Sequence, residues 1–321
     1  MLKRKDYVDY IKAIAIILVI IGHTNFANSH FYIKQWIYAF HMPVFFFATG
    51  LVMKKVTVDK DFIANKLERL IIPYLLWGLV YSTFSVKNCV FLLWGSYESI
   101  TRAGSLTSLW FLVAMFIGVV LATWILSLNK YLSVIAMLIV YIVSIALPDI
   151  SVGYPWCLNS ALMASAFILL GFFFEQYIAG LFENSHYKVS YAVMLCVSFC
   201  TTLLFKLNME NSDWYVLMAK VQVGNPLIFT IVSVMGCVFV YFLAKIISKA
   251  FGTIKPLSFI GKNTLVIFAI QKPIIAIFGN VFARVGIQWY LQLLVTCVGI
   301  LIISCIASMV INRYIPALNG R

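Results

Sequence analysis

Three ionisable side chains, Asp9, Lys12 and His23, fall within the first long apolar run of the sequence. His23 follows Lys12 by eleven positions. In an α-helix the two side chains then differ by only about 20° around the axis and by roughly 16 Å along it. Asp9 lies one turn before Lys12 on the same face. Because charged and imidazole side chains are costly in lipid, we expect this face to line a cavity or to contact another helix.

His23 and His41 carry the side chains best suited to proton transfer near neutral pH. A short connection between the first two predicted spans makes these spans neighbours and brings the two imidazoles to similar depth. His23 could then act as a general base on an attacking hydroxyl group. The alternative is a buried histidine bonded to a carbonyl group, which residue type alone favours for His41. Pro43 predicts a helix kink that frees a carbonyl group beside the histidines.

A basic pair, Lys66 and Arg69, precedes Pro73 and Tyr74 at the predicted entrance of the third span. Residues three apart on a helix share a face, so the two side chains could hold a phosphate or diphosphate group together. The alternative is ordinary positive charge on the cytoplasmic side, in contact with anionic membrane lipid.

Four further residues could line a pathway through the protein. Trp110 opens the fourth predicted span, where an indole could anchor at the membrane interface or line an entrance. Asn263 lies at the start of the ninth span, and Gln271 and Lys272 lie inside it. Because Lys272 is a cation within a span, we expect it either to pair with another group or to take part in function, beside a helix break at Pro273.

The composition predicts an integral membrane protein. Hydrophobic residues make up 63% of the chain and charged residues 11%, and the mean hydropathy is +0.98; soluble domains have about 25% charged residues. We therefore predict an all-α bundle of about ten transmembrane helices that forms a single domain, 1–321. The predicted spans are 10–28, 36–53, 70–86, 108–126, 131–147, 157–174, 189–205, 227–244, 263–283 and 289–311.

The distribution of Lys and Arg predicts that both termini are cytoplasmic. With that orientation, sixteen of the 24 basic residues fall on the cytoplasmic side and six on the other, as the positive-inside rule requires. The net charge of +13 then follows from topology, and we expect no nucleic-acid partner. We expect the segment 1–27 to be a retained first span rather than a cleaved signal peptide, because it contains Lys12 and His23.

The chain has no local signature of the commonest nucleotide-driven motors, serine hydrolases or zinc enzymes. Its seven cysteines fall mostly within apolar spans and form no CxxC pair, which predicts packing roles. We expect no metal.

Five motifs follow one another along the chain. They are Asp9-x-x-Lys12-x10-His23, Phe40-His41-Met42-Pro43-Val44-Phe45-Phe46-Phe47, Lys66-x-x-Arg69-x-x-x-Pro73-Tyr74, Leu109-Trp110-Phe111-Leu112 and Ile260-Gly261-Lys262-Asn263-Thr264-Leu265. Together they resemble the membrane-bound acyltransferase family 3, and their order and spacing resemble its fucose 4-O-acetylase-like branch. The resemblance covers nearly the whole chain.

The resemblance implies a multi-pass protein of the inner (plasma) membrane that acts as an O-acyltransferase. The expected partners are membrane lipid, acetyl-CoA as acyl donor, and a carbohydrate acceptor, either a surface polysaccharide or its lipid-linked precursor. His23 would be the base or acyl relay, with His41 as a candidate partner and Asp9 placing Lys12. The residues expected to contact coenzyme A are Lys12, Lys66, Arg69 and Tyr74, and those on the acceptor side or in a pore are Trp110, Asn263, Gln271 and Lys272.

Two positions depart from the family pattern. Many members have Arg where this chain has Lys12, and only Arg binds phosphate in a bidentate manner. Several members have a histidine at the position of Gln271, so the resemblance gives no support for a second base there. Two other functions stay open: a transporter of a lipid-linked sugar or small solute that uses Lys12, His23 and Lys272, and a catalytically silent scaffold.

Overall fold

The computed structural model describes residues 6–24, 30–82, 85–182, 187–208, 214–285 and 288–321. These ranges are helical and contain no strand beyond one isolated bridge between Leu217 and Gln222, which confirms the all-α prediction. The α-helices are α1 (Asp6–His23), α2 (Phe31–Tyr38), α3 (His41–Gly50), α4 (Lys60–Lys66), α5 (Ile72–Tyr81), α6 (Val86–Trp94), α7 (Tyr97–Arg102), α8 (Trp110–Ile125), α9 (Lys130–Ala146), α10 (Leu158–Phe173), α11 (Tyr187–Thr202), α12 (Pro226–Phe251), α13 (Lys255–Lys262), α14 (Thr264–Val285) and α15 (Trp289–Tyr314).

Six helical stretches in the described ranges are long and apolar enough to cross a membrane. They are Thr107–Ile125, Pro155–Phe182, Val189–Asn208, Pro226–Phe251, Thr264–Phe282 and Trp289–Tyr314. Each one coincides with a predicted span, and the fifth predicted span coincides with the shorter apolar helix α9. The count of ten helices and the cytoplasmic side of the termini stay predictions.

The first predicted span is displaced. Helix α1 begins at Asp6 and ends at His23, whereas the prediction ran from 10 to 28 and its last part lies mostly outside the described residues. Asp6 and Asp9 are in the first turn, where negative charge interacts favourably with the helix dipole and extends the helix towards the N-terminus. His23 is therefore the last residue of α1, whereas the predicted span continued for five residues beyond it.

The second predicted span is interrupted before its proline. A turn at Ala39 and Phe40 separates α2 from α3, and His41 is the first residue of α3. Pro43 lies in the first turn of α3, where its missing N–H group would have had no partner within the helix. The predicted helix break at Pro273 is wrong, because α14 continues through that residue.

The third predicted span belongs to a helix that starts ten residues earlier. Asp59 caps its N-terminus by accepting a hydrogen bond from the Phe62 N–H at 2.8 Å. The helix runs through α4, a π-helical segment at Leu67–Ile71, and α5. The basic pair of the third motif therefore lies inside this helix and not at its entrance. Its π-helical turn is of a kind often found at functional sites.

The structure divides into two compact units, of which the first comprises Met1–Ala48, Gln176–Val216 and Val223–Met309. Helix α1 packs on α12, α13 and α14. The largest fully buried side chains of this unit are aromatic, Tyr10, Phe40 and Phe229 among them. The burial of these large rings stabilises this unit.

The second unit comprises Thr49–Glu175, Leu217–Gln222 and Val310–Arg321. Helices α8 and α10 pack closely because Gly118 has no side chain, and an added Cβ would lie 3.1 Å from the Cβ of Ala164. The short segment 217–222 is held by an ion pair between Lys220 and Glu98 at 2.9 Å, and the Glu98 carboxylate raises the pKa of Lys220. The single domain at 1–321 stays a prediction.

Candidate active site

Helix α1 is continuous from Asp6 to His23, so Asp9, Lys12 and His23 share one helix as their spacing predicts. Asp9 is buried in the first unit near the N-terminal end of α1. Its Oδ2 accepts a hydrogen bond from Ser258 Oγ at 3.1 Å and lies 3.9 Å from Lys262 Nζ. The carboxylate thus connects α1 to α13. The predicted placement of Lys12 by Asp9 stays a prediction.

The contact between α1 and α13 depends on close backbone approach. A side chain at Gly261 would overlap the carbonyl group of Asp9. Tyr10 adds a second connection, because its hydroxyl donates to the Gly252 carbonyl at 2.7 Å and accepts from the Ile254 N–H at 2.6 Å. This end of α1 is a tightly packed, hydrogen-bonded joint.

His23 ends α1 and has a defined orientation. Its Nδ1 lies 2.8 Å from the Val19 carbonyl oxygen. A carbonyl oxygen only accepts, so Nδ1 carries a proton, and in the neutral imidazole Nε2 bears the lone pair. Nε2 lies 3.2 Å from the Tyr38 hydroxyl. His23 as a residue is half-buried, and Nε2 is the ring nitrogen that can act as a base.

Tyr38 lies between the two histidines. Its ring centroid is 5.6 Å from that of His23 and 4.8 Å from that of His41. His41 is buried, and its Nδ1 donates to the Ile37 carbonyl at 2.9 Å. This bond matches the alternative of a structural histidine, while the contact through Tyr38 places His41 near His23. The role of His41 as partner stays a prediction.

Sequence reasoning missed Tyr38 and the groups around it. Lys34 Nζ lies over the rings of Tyr38 and Tyr215, 5.7 and 4.4 Å from their centroids. Tyr38 precedes His41 by three residues, and in the predicted span 36–53 this spacing places both side chains on one helical face, so it was a usable signal. Tyr215 is distant in sequence from α2, so no local pattern could have indicated it.

The ninth predicted span contributes two polar residues to the first unit. Lys272 interacts electrostatically with His23. Gln271 is fully buried, and its amide nitrogen and oxygen have no hydrogen-bond partner among the described residues. Ile275 and Gly279 follow Gln271 at one and two helical turns and line a small cleft together with Thr24. An amide without a partner in an apolar interior is costly, so Gln271 is a candidate for contact with a polar ligand.

The basic pair of the third motif lies in the second unit. Lys66 is half-buried and Arg69 is exposed. Burial and the nearby charge of Arg69 lower the pKa of Lys66. Lys66 Nζ also lies 5.2 Å from the centre of the Phe62 ring. Two cations held close together attract an anion of higher charge, such as a phosphate group.

The family model of the acyltransferase domain, acyltransferase 3, matches residues 5–309. The chain belongs to the acyltransferase 3 family. The match spans nearly the whole chain and includes both compact units. No curated protein matches the chain significantly.

As an acyltransferase 3 family member, the chain is a membrane acyltransferase with several apolar helices. This confirms the enzyme class predicted from the five motifs and favours it over the transporter and the scaffold. The fucose 4-O-acetylase-like branch, the acetyl-CoA donor, the carbohydrate acceptor and the inner membrane stay predictions. Within the described residues, no three His, Cys, Asp or Glu side chains come together as a metal site would require.

Three other residues of the family motifs have structural contacts. The Tyr74 hydroxyl is buried and donates to the Leu92 carbonyl at 2.6 Å, which connects α5 to α6. Trp110 is buried at the start of α8. Asn263 is buried between α13 and α14, and its Nδ2 donates to the Phe259 carbonyl at 2.8 Å. Their predicted contacts with donor or acceptor stay predictions.

Proposed function

We propose that this family member is an O-acetyltransferase that moves acetyl from acetyl-CoA to a hydroxyl group of a surface carbohydrate or its lipid-linked precursor. His23 is the general base. The observation that supports this role is the hydrogen bond from Nδ1 to Val19, which leaves Nε2 as the basic nitrogen of a half-buried imidazole. A base must reach its proton within about 3 Å, and only Nε2 has an orientation that permits this.

The chemistry requires a nucleophile and a stabilised leaving group. Removal of the acceptor proton makes the oxygen nucleophilic enough to attack the carbonyl carbon of the thioester. Collapse of the tetrahedral intermediate then expels the thiolate of coenzyme A, which takes a proton. The neutral His23 imidazole takes up the proton of the acceptor, and the resulting imidazolium supplies the proton that the thiolate takes.

Donor binding falls to the cations of the third motif. Lys66 and Arg69 would bind phosphate groups of acetyl-CoA, with Arg69 able to form two parallel hydrogen bonds. Lys12 joins this set on the strength of the family resemblance, and Tyr74 supports the helix that carries the pair. On the acceptor side we place Gln271 and Lys272, with Trp110 and Asn263 as further candidates.

The test is release of free coenzyme A by the purified full chain in nanodiscs. Acetyl-CoA is supplied with a panel of methyl glycosides that includes methyl fucoside, and the wild type is compared with His23→Ala. The matched control is His30→Ala, because the His30 ring packs against Trp289, 5.3 Å between centroids, and not in the His23 cluster. We expect acceptor-dependent release that His23→Ala abolishes and His30→Ala retains. No release with any acceptor would contradict the proposal, and transport of a lipid-linked sugar would then be tested in its place.

A further inference from the structure

Tyr38 occupies the position at which His23 would meet its substrate. The Tyr38 hydroxyl lies 3.2 Å from His23 Nε2, the nitrogen that bears the lone pair. The proton of an acceptor hydroxyl can therefore reach this lone pair in two ways. Either Tyr38 moves aside and the acceptor contacts His23 directly, or Tyr38 stays in place and transfers the proton. The packing of the Tyr38 ring decides between them.

The Tyr38 ring is held from several sides within the first unit. It makes edge contacts with His41 and with Tyr215, each at 4.8 Å between centroids. On the α1 side the backbone of Gly22 is so close that an added Cβ would lie 3.1 Å from Tyr38 Cε2. Rotation away from His23 would lose these contacts, and edge contacts between aromatic rings are favourable. The packing thus favours a fixed ring that passes the proton.

We infer that Tyr38 is a further catalytic residue, whose hydroxyl accepts the proton of the acceptor while donating its own proton to His23 Nε2. A phenol can donate and accept at the same time, so the relay needs no movement of the ring. Tyr38 then touches the acceptor, and His23 acts as the terminal base one bond further away. This inference rests on the proposed function.

The proton transfers of the relay balance over the complete reaction. As the acceptor oxygen bonds to the acyl carbon, its proton moves to the Tyr38 oxygen and the Tyr38 proton moves to His23 Nε2. The carbon–sulfur bond then breaks, and the thiolate leaves with the electron pair. Tyr38 gives a proton to the thiolate and recovers one from the His23 imidazolium. The products are the ester and free coenzyme A, and both side chains return to their starting state.

The charges around Tyr38 suit a group that carries partial negative charge during transfer. Lys34 lies on the same helix, over the Tyr38 ring, and a cation there stabilises developing charge on the phenol oxygen. Burial lowers the pKa of Lys34. The titratable groups that face Tyr38 or act on its partner are Lys34 on α2, His23 on α1, His41 on α3, Tyr215 in the segment before residue 217, and Lys272 on α14.

The first test is Tyr38→Phe in the full chain in nanodiscs, with Tyr32→Phe as matched control. Tyr32 lies on the same helix and is 55% exposed, so its hydroxyl is remote from the buried packing. Phe keeps the ring contacts and removes only the hydroxyl group. We expect Tyr38→Phe to lower kcat for acetyl transfer about 100-fold, the usual contribution of a proton-transfer group, with an unchanged Tm and with Tyr32→Phe at the wild-type rate.

The second test replaces Tyr38 with 3-fluorotyrosine, which lowers the phenol pKa and keeps its hydrogen bond. The relay starts from a protonated phenol, so the alkaline limb of the kcat profile should move to lower pH. The same replacement at Tyr32 should leave the profile in place. A hydroxyl that takes no part in the reaction would leave the profile in place, and a Tyr38→Phe chain that fails to fold would leave this second test decisive.

The outcomes separate the relay from the proposed function. If His23→Ala is inactive while Tyr38→Phe retains the wild-type rate, the relay is wrong and the acyltransferase proposal stands. A faster Tyr38→Phe enzyme would make Tyr38 a gate and would also overturn the relay, as would an unmoved profile with 3-fluorotyrosine. If the wild type releases no coenzyme A with any glycoside, the proposed function falls and the relay falls with it.

Discussion

The two ends of the first helix hold their polar side chains in opposite ways. At one end Asp9 is buried and bound by Ser258 and Lys262, and Gly261 lies directly on its backbone. At the other end His23 is half-buried, and its Nε2 lies 3.2 Å from the Tyr38 hydroxyl. The end with Asp9 has the contacts of a structural joint, and the end with His23 is the one at which we propose that the reaction takes place.

The difference shows why a polar residue in a membrane protein need not be catalytic. Asp9 is buried and has its hydrogen-bond and ion-pair partners inside the protein, so its removal should affect folding first. His23 uses Nδ1 to fix its orientation, and in the proposed mechanism Nε2 is the base, an arrangement common in catalytic histidines. Variants at the two ends should therefore separate stability from activity.

The largest expected effect is on the structural end. Gly261→Leu would push α13 off α1, because a side chain there overlaps the Asp9 carbonyl group. We expect a loss of about 3 kcal/mol in the free energy of unfolding, measured by thermal or denaturant unfolding in detergent. Gly180→Ala is the control, since among the described residues no atom beyond its chain neighbours lies within 4 Å of an added Cβ at that position. Equal stability of the two variants would contradict the close packing of this joint.

Asp9→Asn should have a smaller effect in the same direction. Asn keeps an oxygen that can accept from Ser258 but loses the charge that attracts Lys262. We expect a loss of about 1 to 2 kcal/mol in the free energy of unfolding, with a fall of less than about tenfold in acetyl transfer per folded molecule. A stable but inactive Asp9→Asn enzyme would assign Asp9 to the chemistry and erase the contrast with His23.

Lys66→Met sharpens the comparison because it should affect neither stability nor chemistry. We expect the KM for acetyl-CoA to rise about tenfold, the loss of one hydrogen bond from a charged group, with kcat unchanged. Lys60→Met is the control, since Lys60 is an exposed residue of the same helix.

The lowered pKa of Lys66 also predicts a pH dependence. Lys66 should lose its proton at lower pH than an ordinary lysine, so kcat/KM for acetyl-CoA should fall as the pH rises through that pKa. Lys66→Met should lack this fall. The same alkaline profile in wild type and Lys66→Met would exclude Lys66 from donor binding.

Gln271 and Gln35 are both buried amides, and their replacement by Leu should have different effects on stability. A buried amide without a hydrogen-bond partner is costly, and the Gln271 amide has none among the described residues. Gln271→Leu should therefore leave the free energy of unfolding unchanged or raise it by up to about 1 kcal/mol. Gln35→Leu should cost about 1 kcal/mol more, because the buried Gln35 amide donates to the Trp214 carbonyl at 2.7 Å. We also expect Gln271→Leu to raise the KM for the acceptor glycoside, and an unchanged KM would remove Gln271 from the acceptor side.

The positions of most helices could be predicted from the sequence, because each membrane-spanning helix requires a long run of apolar residues. The later spans were located closely, as in α14, predicted at 263–283 and found at Thr264–Val285. The first three were not, because charge and helix caps, rather than apolar length, set their ends. The Asp59 cap starts a helix well before the apolar run, and the turn at Ala39 and Phe40 interrupts one.

The candidate site was predictable only in part for a similar reason. Spacing alone put Lys12 and His23 on one helix, and the five motifs indicated the enzyme family that the domain match confirms. The tertiary contacts of the site could not be predicted in this way. The bond between Asp9 and Ser258 joins residues far apart in sequence, and so does the ring contact between Tyr38 and Tyr215. The spacing of residues along one helix gives no information about contacts between residues so far apart in sequence.

The most direct test is one experiment on both ends of α1. Acceptor-dependent acetyl transfer and Tm are measured on the same nanodisc preparations of wild type, His23→Ala and Asp9→Asn. The account predicts that His23→Ala loses at least about 100-fold in rate at an unchanged Tm, whereas Asp9→Asn has a lower Tm and keeps most of its rate. Retained activity in His23→Ala would contradict the assignment of the base and with it the central claim.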